Sequence, residues 1–190
     1  VLQRRHFHLG LLATAALALT GCDRADAPKP APIAAALAYA TVAAEGQGFS
    51  VGPMTAAHTV YVLFDPQCPH CGELWNAALP LLGKARFVWL PVAFIGPKSL
   101  PQGAALLQAA QPQEAMSAHE RSLLAGEGGM SASASVPPAI QTAIESNTTL
   151  LGRLGGESVP FIVARSANGQ PVLQAGAMTT AALAALLGLP

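Results

Sequence analysis

Val60-Tyr61-Val62-Leu63-Phe64-Asp65-Pro66-Gln67-Cys68-Pro69-His70-Cys71 decides how the rest of the chain is read. The five apolar residues at its start read as a buried β-strand. Asp65-Pro66 stops that strand, because a residue before proline is biased away from the helical region. Gly72 to Leu82 then reads as a helix, with Leu74, Trp75, Ala78, Leu79 and Leu82 on one apolar face and Pro80 as a kink. Cys68 therefore lies where a strand end meets a helix start. Unpaired backbone N–H groups and the positive end of the helix dipole converge there and favour a thiolate, the reactive form of cysteine.

A pair of cysteines two residues apart serves as a redox dithiol, as half of a zinc site or as a haem attachment. Haem attachment needs histidine next, and position 72 is glycine. A structural zinc site wants four ligands, and outside the N-terminal segment only His58, His70 and His119 could join the pair. The redox reading is therefore favoured, with no metal and no cofactor expected. Cys68 is the expected nucleophile, and Cys71, one turn inside the helix, the resolving thiol. Pro69 at the first helical turn forfeits no hydrogen bond. His70, when protonated, places positive charge close to the sulfur. A helix end contributes at most ~2 kcal/mol, about one and a half pKa units. A strongly acidic Cys68 thus needs direct N–H contacts and His70 as well.

The front of the chain reads as a signal. Arg4 and Arg5 give a positive start, and Leu9 to Thr20 form twelve uncharged, Ala/Leu-rich residues, too short to span a bilayer as a mature helix. Arg4-Arg5-His6-Phe7 resembles a twin-arginine export motif. Leu19-Thr20-Gly21-Cys22 resembles a bacterial lipobox, which implies residues 1–21 as a lipoprotein-type signal and lipidation at Cys22. That leaves Cys68 and Cys71 as one pair out of three cysteines, in an extracytoplasmic compartment where disulfides persist. Residues 22–32, with Pro28, Pro30 and Pro32 among charged neighbours, read as an extended tether.

Without residues 1–21 about 169 residues remain, which suits one domain. Apolar residues make up 52% and charged ones 11%, ample for a core. Ten basic and ten acidic residues cancel, and no basic block appears, so nucleic acid is not an expected partner. Residues 33–48 read as a short helix and linker, with a helix over Ile33–Ala44. A strand at Phe49–Val51, the strand ending at Phe64 and a second buried strand, Phe87–Phe94 with a bulge at Pro91, follow. The stretch 99–155 reads as broken helices. Its last two are expected at Pro138–Glu145 and Thr148–Leu154, the latter capped by Asn147. Phe161–Ala164 and Val172–Ala175 flank Asn168-Gly169, a strong hairpin turn. Thr179–Leu187 is a terminal helix. Trp75 and Trp89 are read as core, and His58 and His119 as surface groups. Asp65 is read as a cap on the active-site turn, and Glu73 as a solvated acid near the helix start.

Strand, helix, strand, helical block, hairpin, helix is the order of the thioredoxin arrangement. The fold class is thus α/β, thioredoxin-like, over residues 49–190, with a helical insertion at about 99–155. From Phe49 to Leu189 the chain resembles the catalytic domain of the DsbC/DsbG disulfide isomerases. The resemblance is carried by Val60–Phe64, Asp65–Cys71, Trp75, the insertion and Val159-Pro160. It implies a periplasmic thiol:disulfide oxidoreductase in which Pro160 is a cis-proline beside the cysteine pair, and Val159 with Pro160 docks a substrate chain. The Pro69-His70 dipeptide and Val159 resemble DsbA, the oxidase, instead. Residues 33–58 are too few for the isomerases' N-terminal dimerisation domain, so a monomer on a lipid tether is expected. The strand before the pair is wholly apolar, so the acidic residue that some thioredoxin-like proteins bury beneath the pair is expected to be missing. The expected partners are thiols and disulfides of exported proteins, a membrane redox partner that recharges the pair, and the membrane itself through the lipid, its inner or outer identity open. Exchange is expected to run towards oxidation or isomerisation. The rival is a lipid-anchored soft-metal-binding or chaperone-like protein without exchange activity.

Overall fold

A computed structural model describes residues 31–190. The expectations for residues 1–21, for Cys22 and for nearly all of the tether lie outside the described residues.

The apolar run forms the middle of a five-stranded sheet of order β1-β3-β2-β4-β5, made of β1 (Phe49–Val51), β2 (His58–Phe64), β3 (Ala85–Pro91), β4 (Phe161–Arg165) and β5 (Pro171–Ala175). β2 pairs parallel with β3, Val62 opposite Trp89, and antiparallel with β4, Leu63 opposite Phe161. A strand paired on both edges and covered on both faces must be apolar throughout, and Val60, Val62, Leu63 and Phe64 are fully buried. Side chains alternate between faces. Tyr61 meets Tyr39 of α1 (Ala35–Glu45), ring centroids 5.3 Å apart. On the opposite face Phe64 and Trp89 stack edge-on, and Trp89 meets Trp75 of α2 (Pro69–Ala78) at 5.1 Å. The two tryptophans expected in the core are there.

The insertion holds α3 (Ser99–Leu107), α4 (Pro112–Leu124) and α5 (Pro138–Arg153), and the chain closes with α6 (Thr180–Leu187). α4 packs on α2 and α5 on α3 and β3. At the hairpin Gly169 has φ +78°, which Asn168-Gly169 foretold. Thr179 caps α6 by accepting from the Ala182 N–H at 3.2 Å.

Three expectations need correction. The second long strand stops at Pro91. Val92 N–H still reaches Phe64 O, at 2.9 Å, but the Phe94 and Ile95 N–H groups turn to the Asp65 carboxylate. Pro80 does not kink a continuous helix, because α2 ends at Ala78 and Leu79–Leu81 form a separate 3₁₀ turn. The two short helices at 138–154 are one, α5, and Asn147 lies inside it, fully buried. Its amide caps nothing on its own helix. It accepts from Gln47 N–H at 3.0 Å and donates to Gln47 O at 2.7 Å and Pro91 O at 3.0 Å. These bonds join the α1–β1 linker and the end of β3 to the insertion. Asn147→Ala strands the buried Pro91 carbonyl and unpairs the part-buried N–H and carbonyl of Gln47, and the expected loss is about 2 kcal/mol in urea unfolding.

Candidate active site

Cys68 is the N-cap of α2, and its extended backbone turns β2 into the helix. Its N–H donates to Asp65 O at 3.0 Å, and its carbonyl accepts from Cys71 N–H at 2.9 Å. Pro69 occupies the first helical position, where no partner for an N–H exists. Both thiols are free. Cys68 keeps 5% exposure and Cys71 none, so only Cys68 can meet a substrate sulfur. The Cys68 Sγ lies 3.5 Å from Val159 O, and the Val159–Pro160 peptide is cis. The structure thus gathers Cys68, Pro69, His70, Cys71, Val159 and Pro160 in one place.

The two sulfurs are driven apart chemically. The Cys71 thiol donates to the Cys68 sulfur, and this, ahead of the Cys71 and His70 N–H groups and the His70 charge, holds Cys68 at about 6 against the opposing cost of burial. Burial and the neighbouring Cys68 push Cys71 far above the ordinary thiol range. His70 acts on the Cys68 sulfur through its N–H and its charge, both weaker there than the Cys71 thiol. Its Nδ1 pairs with Glu73 Oε2 at 2.9 Å, which raises the imidazole's pKa and holds positive charge near the sulfur. Glu73, read as merely solvated, is the partner of the histidine between the cysteines.

Asp65 caps the turn as expected, and does more. Fully buried, it accepts from Gln67 N–H (2.8 Å), Phe94 N–H (2.7 Å), Ile95 N–H (2.8 Å) and Ser99 Oγ–H (2.7 Å). The active-site turn is thereby fixed to the loop after β3 and to the first residue of α3.

Two neighbours on α4 overturn the sequence reading. His119, expected at the surface, is fully buried. Its Nδ1 accepts from Met130 N–H at 3.1 Å, so Nε2 carries the proton and donates to Pro66 O at 2.7 Å. Burial lowers its pKa and keeps it neutral. The buried acid expected to be missing is Glu120. It is 1% exposed and neither carboxyl oxygen has a hydrogen-bond partner among the described residues. A Cβ at position 72 would stand 2.6 Å from its Oε2, so glycine beside Cys71 leaves the room this carboxyl fills. Burial first, then the charges of Cys68 and Asp65, push Glu120 up to about 9. The acid comes from the insertion, not from the strand before the pair. The one signal for it in the sequence is Gly72 after the second cysteine, a small residue in a helix that needs none. His58, the other histidine assigned to the surface, is half-buried at the start of β2. Among the described residues no three His, Cys, Asp or Glu side chains gather as metal ligands, and no helix is long and apolar enough to cross a membrane.

With this geometry in view, the chain is 32% identical over 140 residues to the thiol:disulfide interchange protein DsbG of Pseudomonas aeruginosa, covering 72% of this chain and 54% of the relative. It is a homologue of the DsbG proteins. The DsbG of Escherichia coli is 31% identical over 113 residues, covering 58% of this chain and 45% of the relative. The chain thus spans about half the length of the curated relatives it matches. No protein-family model matches it. Among solved structures the catalytic domain of Proteus mirabilis ScsC superposes with a TM-score of 0.65 at 15% identity, covering 80% of this chain and 95% of that one. The shared fold is thioredoxin-like. Two features of the resemblance named from the sequence, the DsbG relationship and the thioredoxin-like fold, thus hold.

Alkylation of Cys68 by iodoacetamide is expected to follow a midpoint near pH 6. Cys71→Ala removes the main donor and shifts that midpoint up by about one to two pH units, the worth of a hydrogen bond to a charged group, and His70→Ala shifts it by less. Glu120 makes the opposite kind of mark on stability. From the ordinary carboxyl range up to about 9 the folded chain keeps a proton that the unfolded chain has lost. Stability therefore falls by about 1.4 kcal/mol per pH unit across that window. Glu120→Gln is expected to raise the unfolding free energy of the reduced protein by about 2–3 kcal/mol at pH 7 and to flatten its fall between pH 5 and 8, read by urea melts at both ends.

Proposed function

We propose that the chain is an extracytoplasmic thiol:disulfide oxidoreductase that acts on exported proteins through Cys68 and Cys71, with an oxidising bias. The observation that carries this reading is the asymmetry of the pair: a Cys68 that keeps slight exposure and is held at about 6, and a fully buried Cys71 held far above the thiol range. A thiol pair whose reduced form is stabilised as a thiolate makes its disulfide an oxidant. The relatives' names and the cis-Val159–Pro160 bond beside Cys68 support the same reaction.

In the oxidising direction a substrate thiolate attacks the Cys68 sulfur of the Cys68–Cys71 disulfide. A mixed disulfide forms and Cys71 departs. Its high proton affinity calls for a proton at once, and the neutral carboxyl of Glu120, packed beside Gly72, is the nearby group that holds one. The second substrate thiolate then attacks the substrate sulfur of the mixed disulfide. Cys68 leaves as the thiolate that the Cys71 thiol, two N–H groups and His70 stabilise. Glu120 regains its proton from the medium. Two electrons have passed from the substrate dithiol to the pair. A membrane partner that accepts them recharges it. Val159 and Pro160 present the backbone along which the substrate chain lies. Attachment through a lipid on Cys22, after removal of residues 1–21, keeps the domain at a membrane facing the exported substrates.

Equilibration in glutathione buffers, read by Trp fluorescence and by oxidation of a reduced two-cysteine peptide, tests this. A potential more positive than about −230 mV with peptide oxidation is expected, and one near about −270 mV defeats the oxidising bias. Sub-micromolar stoichiometric zinc binding with no exchange on peptide or insulin defeats the enzyme reading in favour of the soft-metal protein.

A further inference from the structure

Beside the redox pair an open cleft of about 570 Å³ runs between α2 and the loop that joins β5 to α6. Its α2 wall carries Glu73, Asn76 and Ala77, and its loop wall Ala177, Met178 and Thr180. Both walls are fixed to the site. Gly176 N–H donates to Pro160 O at 2.9 Å, next to the Val159 carbonyl that faces Cys68, and Thr180 Oγ–H donates to Ala77 O at 2.9 Å. The loop wall of the cleft is thus bonded to the Val159–Pro160 segment along which a client chain would pair.

The lining has one charge. Met178, Ala77 and Ala177 offer an apolar floor. Glu73 Oε2 holds the His70 imidazole, while Oε1 accepts from no group among the described residues. Asn76 adds an exposed amide oxygen. An apolar trough with acceptors and a carboxylate at its rim fits a side chain with an aliphatic stem and a cationic head. We infer that the cleft receives a lysine or arginine flanking the reacting cysteine of a client polypeptide, so that the pair exchanges fastest with thiols bordered by a basic residue. The inference rests on the exchange reading above and adds a substrate class to it.

The test uses the oxidised protein and a set of reduced two-cysteine peptides, identical except for Lys, Gln or Glu at each position flanking the first cysteine. Exchange is followed by stopped-flow Trp fluorescence. At low salt the Lys peptide is expected to react about three- to fivefold faster than the Gln peptide at one flanking position, the size an exposed ion pair supports, and 0.5 M salt should erase the excess. Lysine also acidifies its own neighbouring thiol, so the deciding quantity is the Lys-to-Gln ratio in wild type over that in Glu73→Gln. Glu73 also serves His70, and any change it makes through Cys68 reactivity divides out of that quotient. Expected is a quotient of about three to five, with Glu73→Lys favouring the Glu peptide. A quotient of one overturns the inference. Absence of exchange with every peptide and with dithiothreitol overturns the underlying enzyme reading instead.

Discussion

Asp65 accepts four hydrogen bonds at zero exposure, and the site is arranged around it. Its donors come from three places: the turn that leads into Cys68, the loop after β3 and the start of α3. A buried carboxylate is tolerable only when so satisfied. Satisfying it forces the end of β2, the end of β3 and the insertion into one register. The Cys68 backbone inherits that fixity through its own bond to Asp65 O. The α2 N-terminus is consequently held in place before any substrate arrives, as stabilising a thiolate there requires.

Around that frame the polar chemistry falls into two kinds. Asp65, His119 and Asn147 are buried and fully partnered, and they join segments distant in sequence. Glu120 is buried and unpartnered, and its neutrality depends on the burial. The first kind costs little once folded. The second kind is a standing penalty on the fold, and it sits against Gly72, the residue after Cys71. Penalties of this sort persist where the group does chemistry.

What was legible in the sequence is what local pattern determines. The apolar run of β2, the CPHC spacing, Asn168-Gly169 and the terminal helix near Thr179 each depend on a few neighbouring residues, and their positions followed. The DsbG likeness was carried by the same short stretches. His119 and Glu120 were not legible because they sit on α4, an amphipathic helix whose polar residues read as solvent-facing. Which of its faces is covered depends on α2, some fifty residues earlier, and on a glycine there that leaves space. Asn147 was misread for the same reason. In sequence it resembles a helix cap, and only the approach of Gln47 and Pro91 turns it into a tertiary joint. The Glu73–His70 pair was within reach, since a three-residue separation places both on one helix face.

Gly72 links the cysteines at the start of α2 to a carboxyl that belongs to the inserted helices. The thiols and the proton that serves them are therefore encoded in separate modules of the chain. Drift in the insertion can retune how readily Cys71 gives up or recovers hydrogen while the four-residue redox motif stays unaltered. Two proteins with the same CPHC letters can differ in behaviour for a reason written some fifty positions downstream.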